Sequence, residues 1–199
     1  MCSEATKEPD QSGTMPIQIM KFAVLHDFDI VTKEKKFQEF CDELRLMAQK
    51  IMNEHANLPP AVFFVMENGD VYVLEAGQYM NSGGGKDFIS FIINSLIQSK
   101  KDPSVFGVVM ATEAWMACLP KDSDAAKEFA EGNKSVSELP GREEVIILNI
   151  QTADYAKLVK ITITRLDDKT VVLGIPEDLP QDERISGRFA FFKKPDDEC

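Results

Sequence analysis

The sequence is poor in nearly every pattern that announces a chemistry. Its four cysteines, Cys2, Cys41, Cys118 and Cys199, include no Cys-x-x-Cys pair, which removes zinc ribbons and dithiol redox motifs. Histidine is limited to His26 and His55. Neither has a flanking serine or cysteine pattern, and no Gly-x-Ser-x-Gly occurs, so nucleophilic catalysis has no signature. No apolar run approaches the ~18 residues that a membrane-crossing helix needs. Polar and charged residues, not an apolar segment, follow Met1-Cys2, so no secretory signal is expected. Basic residues are in deficit: 22 Lys and Arg stand against 33 Asp and Glu, a formal net charge of −11. That balance disfavours general affinity for phosphate backbones or anionic lipid.

What remains is an ordinary soluble composition on 199 residues, enough for one domain with a real core. The thiols are expected to be free in a reducing, cytoplasmic setting, with a bridge between the two tails as the alternative. Residues 1–16 offer almost nothing to bury and are expected to form a disordered tail, leaving 17–199 as a single domain.

The chain is organised around Ser104 to Cys118, its longest apolar run, which holds Glu113 and the only tryptophan, Trp115. A period of two puts Val109, Ala111, Glu113, Trp115 and Ala117 on one face, with Phe106, Val108, Met110, Thr112 and Met116 on the other. Both faces are mostly apolar, which predicts a central strand covered on both sides. Ile17 to Val31 fits a strand and also a helical face; the strand is preferred. From Glu34 to about His55, Phe37, Phe40, Cys41, Leu44, Met47, Ala48 and Ile51 recur at helical steps, and Pro59-Pro60 stops the helix. Two β-rich runs flank Asn68-Gly69, which predicts a hairpin with a type I′ turn. A loop from Gly77 to Gly85 leads to a second amphipathic helix from about Lys86 to Ser99.

After the central strand comes a long loop, residues 119–141, in which AAKEFAE has the makings of one or two helical turns. Strands at Glu143 to Thr152, Leu158 to Leu166 and Thr170 to Gly174 form an antiparallel meander, and a short apolar run follows at Phe189 to Phe192. The predicted class is α+β, a mostly antiparallel sheet with two amphipathic helices packed on it. The element order resembles that of profilin-like and roadblock-type domains, an analogy of fold that carries no function.

Three clusters are candidates for a site. Glu113 with Arg142, Glu143 and Arg165 would meet across the sheet if their strands are neighbours, as an anion-binding group with an acid or base, or as a structural salt bridge. Gly83, Gly84, Gly85 and Lys86 precede a helix, where backbone N–H groups hold anions. Met80 and Asp87 break the Walker pattern there, and a capped turn is the simpler reading. His26, Asp27 and Asp29 are metal-ligand types, yet no matching cluster occurs elsewhere, so a solvated loop is preferred and no metal or cofactor is expected. Aromatics mixed with basic residues occur only from Arg188 to Lys194, which reads as an edge strand.

The string Thr112-Glu113-Ala114-Trp115-Met116, then Leu139-Pro140-Gly141-Arg142-Glu143-Glu144, Ile163-Thr164-Arg165 and Gly187-Arg188, resembles a group of uncharacterised bacterial and phage proteins. Their pattern is Glu-Ala-Trp, Pro-x-Arg-Glu-Glu and Ile-x-Arg, and the resemblance covers roughly residues 58–192. Gly141 stands where that pattern commonly has an acid. The resemblance brings no function. It implies a small intracellular or phage-encoded protein in which Glu113, Trp115, Arg142, Glu143 and Arg165 lie together.

The leading expectation is a non-enzymatic binding or assembly protein, self-associating through an exposed sheet edge or helix face. One alternative is an enzyme using Glu113 as acid or base, with Arg142 or Arg165 holding an anionic substrate beneath the 119–141 loop. The other is an acidic mimic of nucleic acid.

Overall fold

The β-branched and aromatic runs around Asn68-Gly69 form strands β2 (Ala61–Met66) and β3 (Asp70–Glu75), paired antiparallel from Ala61↔Glu75 to Val65↔Val71. The turn between them departs from the expected type I′. Only Gly69 is left-handed, at φ +83°, and its N–H donates to Met66 O at 2.9 Å. Glu67 and Asn68 are therefore the central turn residues, and Gly69 is the bulge that returns the chain to the ladder. Glycine is required for a further reason. A Cβ there would stand 2.5 Å from Leu25 O and 2.9 Å from Phe28 Cβ.

This computed structural model describes residues 17–80, 84–99, 102–117, 123–131 and 135–179. The expected tail at 1–16, Cys2, Gly83, Cys118, the run Phe189 to Phe192 and Cys199 lie outside them. The remaining strands are β1 (Ile19–Val24), β4 (Val105–Met116), β5 (Glu143–Thr152), β6 (Ala156–Arg165), β7 (Val171–Leu173) and β8 (Glu177–Asp178). The sheet is antiparallel and open, in the order β1-β3-β2-β4-β5-β6-β7, with β8 also on β6. The tryptophan-bearing strand β4 thus lies at the middle, as its two apolar faces predict. Its ladder to β5 runs from Gly107↔Thr152 to Met116↔Glu143.

Helix α1 (Lys33–His55) buries Phe37, Phe40, Cys41, Leu44 and Ala48 of the expected stripe together with Met52, while Met47 is exposed and Ile51 half-buried. It covers one face of the sheet, against Phe63, Val109, Ile146, Leu148, Val159 and Ile161. The opposite face is covered over β2, β3 and β4 by α2 (Gly77–Met80), a turn of helix inside the expected loop, and by α3 (Gly85–Gln98). Ile89, Ile92 and Ile93 of α3 pack there on Val62, Phe64, Val108 and Met110. Within the long loop, AAKEFA lies in α4 (Asp124–Ala130) with Glu131 as its C-cap, and the N-cap Ser123 accepts from Ala126 N at 3.2 Å. This cap satisfies one of the unpaired first-turn donors.

One face assignment is overturned. Met66 pairs with Val105 while Val65 pairs with Gly107, so Phe106 is an extra residue bulged out of the β2–β4 ladder. A bulge breaks the period of two. Phe106 consequently joins the α1 face, where Phe28 and Phe37 meet it edge-on at 5.3 and 5.4 Å. Gly107 leaves room for this cluster, since a Cβ would come within 2.6 Å of the Phe37 ring.

Candidate functional site

Three strands of the meander end at the same corner of the sheet, beyond the C-terminus of α1. Counting in twos, Glu113 follows Val109 and Ala111, Glu144 precedes Ile146 and Leu148, and Arg165 follows Ile161 and Ile163, so all three side chains emerge on the α1 face. Arg165 donates from Nε and Nη2 to Glu144, at 2.7 to 3.0 Å, and from Nη2 to Glu113 Oε2 at 3.2 Å. Its Nη1 donates to Ala56 O at 2.6 Å. The second Glu113 oxygen accepts from the backbone N–H of Leu58.

This geometry fits a structural clasp. Ala56 caps α1 in a left-handed conformation, φ 52°, with its N–H on Met52 O. A helix ends with carbonyls that lack intrahelical partners and with a partial negative charge. The Arg165 guanidinium answers both, while Glu113 takes up a backbone donor of the next segment. Hydrogen bonding to Glu144 first, then the charges of Glu144 and Glu113, raise the Arg165 pKa further above its ordinary value, against desolvation. Both Glu113 oxygens and all three nitrogens of the guanidinium are engaged, which leaves little for a substrate.

The other predicted members separate. The Arg142 guanidinium lies over the Trp115 ring, 5.3 Å from its centroid, and both side chains are exposed. Glu143, expected in the cluster, is on the opposite face with Lys160, 3.2 Å away, which also bridges Glu177 at 3.2 Å. The acid that the cluster uses is Glu144. Its parity with Ile146, Leu148 and Ile150 was the available signal.

The glycine segment does less than its composition offers. Gly84 is the left-handed N-cap of α3, φ 82°, Gly85 is buried as the first helical residue, and Lys86 is exposed. The His26–Asp29 segment is a capped turn: Asp29 Oδ1 accepts from Val31 N at 2.9 Å and Thr32 N at 3.0 Å. Those bonds hold its carboxyl below the usual aspartate range. Among the described residues no group of three His, Cys, Asp or Glu is arranged to hold a metal.

A small cleft of about 60 Å³ lies between α1 and the far edge of the sheet, lined by Gln38, Asp42, Arg45, Lys157 and Asp178 with Cys41 beneath. Ligand pockets are several-fold larger, roughly 300 Å³ and up, so this space suits ordered water. Arg45 Nε is buried there without a hydrogen-bond partner. Among the described residues no helix is long and apolar enough to cross a membrane. No family model, curated protein or solved structure matches the chain.

Proposed function

We propose that the chain is a non-enzymatic binding and assembly protein that accepts a further strand along β1. The observation that carries this reading is the contrast between the two edges of the sheet. At the far edge, among the described residues, stand β7 and β8, three and two residues long, separated by Gly174, Ile175 and Pro176. Their charges are matched: Lys157 meets Asp178 at 2.8 Å, and Lys160 meets Glu177. Short strands, proline and charge are the usual means of blunting an edge.

The β1 edge is less protected: it is six residues long, its one charge, Lys21, is held by Asp70 at 2.7 Å, and its one irregularity is a bulge at Phe22, between Lys21 and Ala23. Its six residues, Ile-Met-Lys-Phe-Ala-Val, pair with β3 on one side and with no strand among the described residues on the other. Ile19, Met20, Phe22 and Val24 are 37, 44, 41 and 44% exposed. An unpaired apolar edge is a template for strand addition, in which main-chain hydrogen bonds supply affinity and alternate side chains supply fit.

A labelled peptide with the sequence of residues 17–25 is a direct probe. It should bind the protein, read by fluorescence anisotropy, and binding should fall at least tenfold in a Met20→Glu/Val24→Glu variant that keeps the parent's circular dichroism. Equal binding by both proteins would refute the reading.

A further inference from the structure

Deepening that reading, on which it rests, we infer that the strand added at β1 belongs to a second copy of this chain, joined antiparallel about a two-fold axis perpendicular to the sheet.

Charge favours this occupant. The chain is strongly acidic, at −11 overall, and two such molecules repel unless the contact is free of the surplus. The β1 strip is free of it. Its single charged residue, Lys21, is held by Asp70 at 2.7 Å, so the strip is close to neutral. A strongly acidic or basic partner would find no opposite charge there to steer it. An equally neutral, apolar strand meets no penalty, and a second β1 is such a strand.

Geometry agrees. Met20 and Phe22 lie on the α1 face, since Met20 pairs with Val73 and the Phe22 ring meets Phe63 edge-on at 5.2 Å. Ile19, opposite Leu74, and Val24, opposite Asp70, are on the α3 face. A two-fold axis perpendicular to the sheet keeps like faces together. It therefore sets Met20 and Phe22 against their counterparts, and Ile19 and Val24 against theirs, in an isologous contact. Because β1 is already antiparallel to β3, the joined sheet stays antiparallel throughout.

Size sets the strength. Six residues span ~20 Å, and a strip of that length with side chains on both faces offers roughly 400 Å² per molecule. Stable dimers bury about 800 Å² a side. The contact is thus small for a stable dimer, which is expected to be populated according to concentration.

The experiment is sedimentation velocity from about 1 to 200 µM on the full chain and two charge variants, Ile19→Lys/Val24→Lys and Ile19→Glu/Val24→Glu. The parent should pass from monomer to dimer across the range. Each variant alone should stay monomeric through self-repulsion, and an equimolar mixture should recover the dimer. Recovery also demonstrates that both variants are folded. A parent that remains monomeric while still binding the 17–25 peptide overturns the second copy and spares the edge; loss of both overturns the edge itself. A dimer unaffected by either variant, or a mixture that does not recover, overturns the β1 contact.

Discussion

Single residues in this chain carry out work that their types do not advertise. Cys41 lies beneath the small cleft, and burial pushes its thiol up to about 12 from an ordinary 9.0. In the native protein at pH 8 it should resist a disulfide reagent and react only on unfolding; reaction at the rate of a free thiol would contradict this. The raised value also has a sign. Between about 9 and 12 the unfolded chain ionises this thiol while the folded one keeps its proton, so the group's contribution to stability is whole below that window and declines through it. Arg165 is the other such residue. Replacing it with Met would leave Glu113 and Glu144 facing each other and Ala56 O without its donor. The Arg165 side chain is about one-third exposed, between the surface case, up to ~1 kcal/mol, and the fully buried one, ~3–5 kcal/mol. A loss of about 2 kcal/mol in denaturant unfolding is expected, with Glu113→Gln costing well under half as much because an amide oxygen still accepts from Leu58 N–H.

Elements were legible where a period ran unbroken. The α1 stripe, the β4 alternation and the β5–β6 meander could be read from spacing alone because each buries a continuous face. Reading failed where one residue interrupted the period. The bulge at Phe106 moved an aromatic to the opposite face, and a tertiary demand, the close approach of Leu25 and Phe28 to Gly69, selected a bulged turn over type I′. The site was legible in the same measure. Glu113 and Arg165 are legible because they lie two strands apart in a meander, whereas Glu143 and Glu144 are adjacent and only the parity of Ile146 and Leu148 separates them. Between Ile17 and Val31 the spacing fitted strand and helix alike; the strand occupies only Ile19–Val24, with a bulge at Phe22, and its exposure depends on what flanks it. Lys21 and Asp70 at this edge allow a separate check. Hydrogen bonding to Lys21 holds the Asp70 carboxyl below its ordinary 3.8, so its stabilisation is present above that value and lost as pH falls through the lower, folded one. In Lys21→Met the Asp70 carboxyl, followed by NMR, should titrate closer to 3.8; an unchanged titration would remove the pair.

At the scale of the whole molecule, main-chain N–H and C=O groups lie in the plane of the sheet, so among the described residues it is the margins that still have hydrogen bonds to give. The sheet is not closed, and its two margins are treated differently. Sequence pattern could not reveal that difference, because the order β1-β3-β2-β4-β5-β6-β7 sends the first strand of the chain to the outside, a placement set by long-range pairing and not by local spacing. The acidic surface and the neutral strip are likewise separable only once the Lys21–Asp70 contact is known.

The blunting of the β7/β8 margin has a consequence for how far growth can go. A molecule with two adhesive ends polymerises; a molecule with one is its own chain terminator. If β1 takes up a second copy as proposed, a single receptive side would halt the stoichiometry at a pair, and a greasy ribbon could stay in view without seeding filaments.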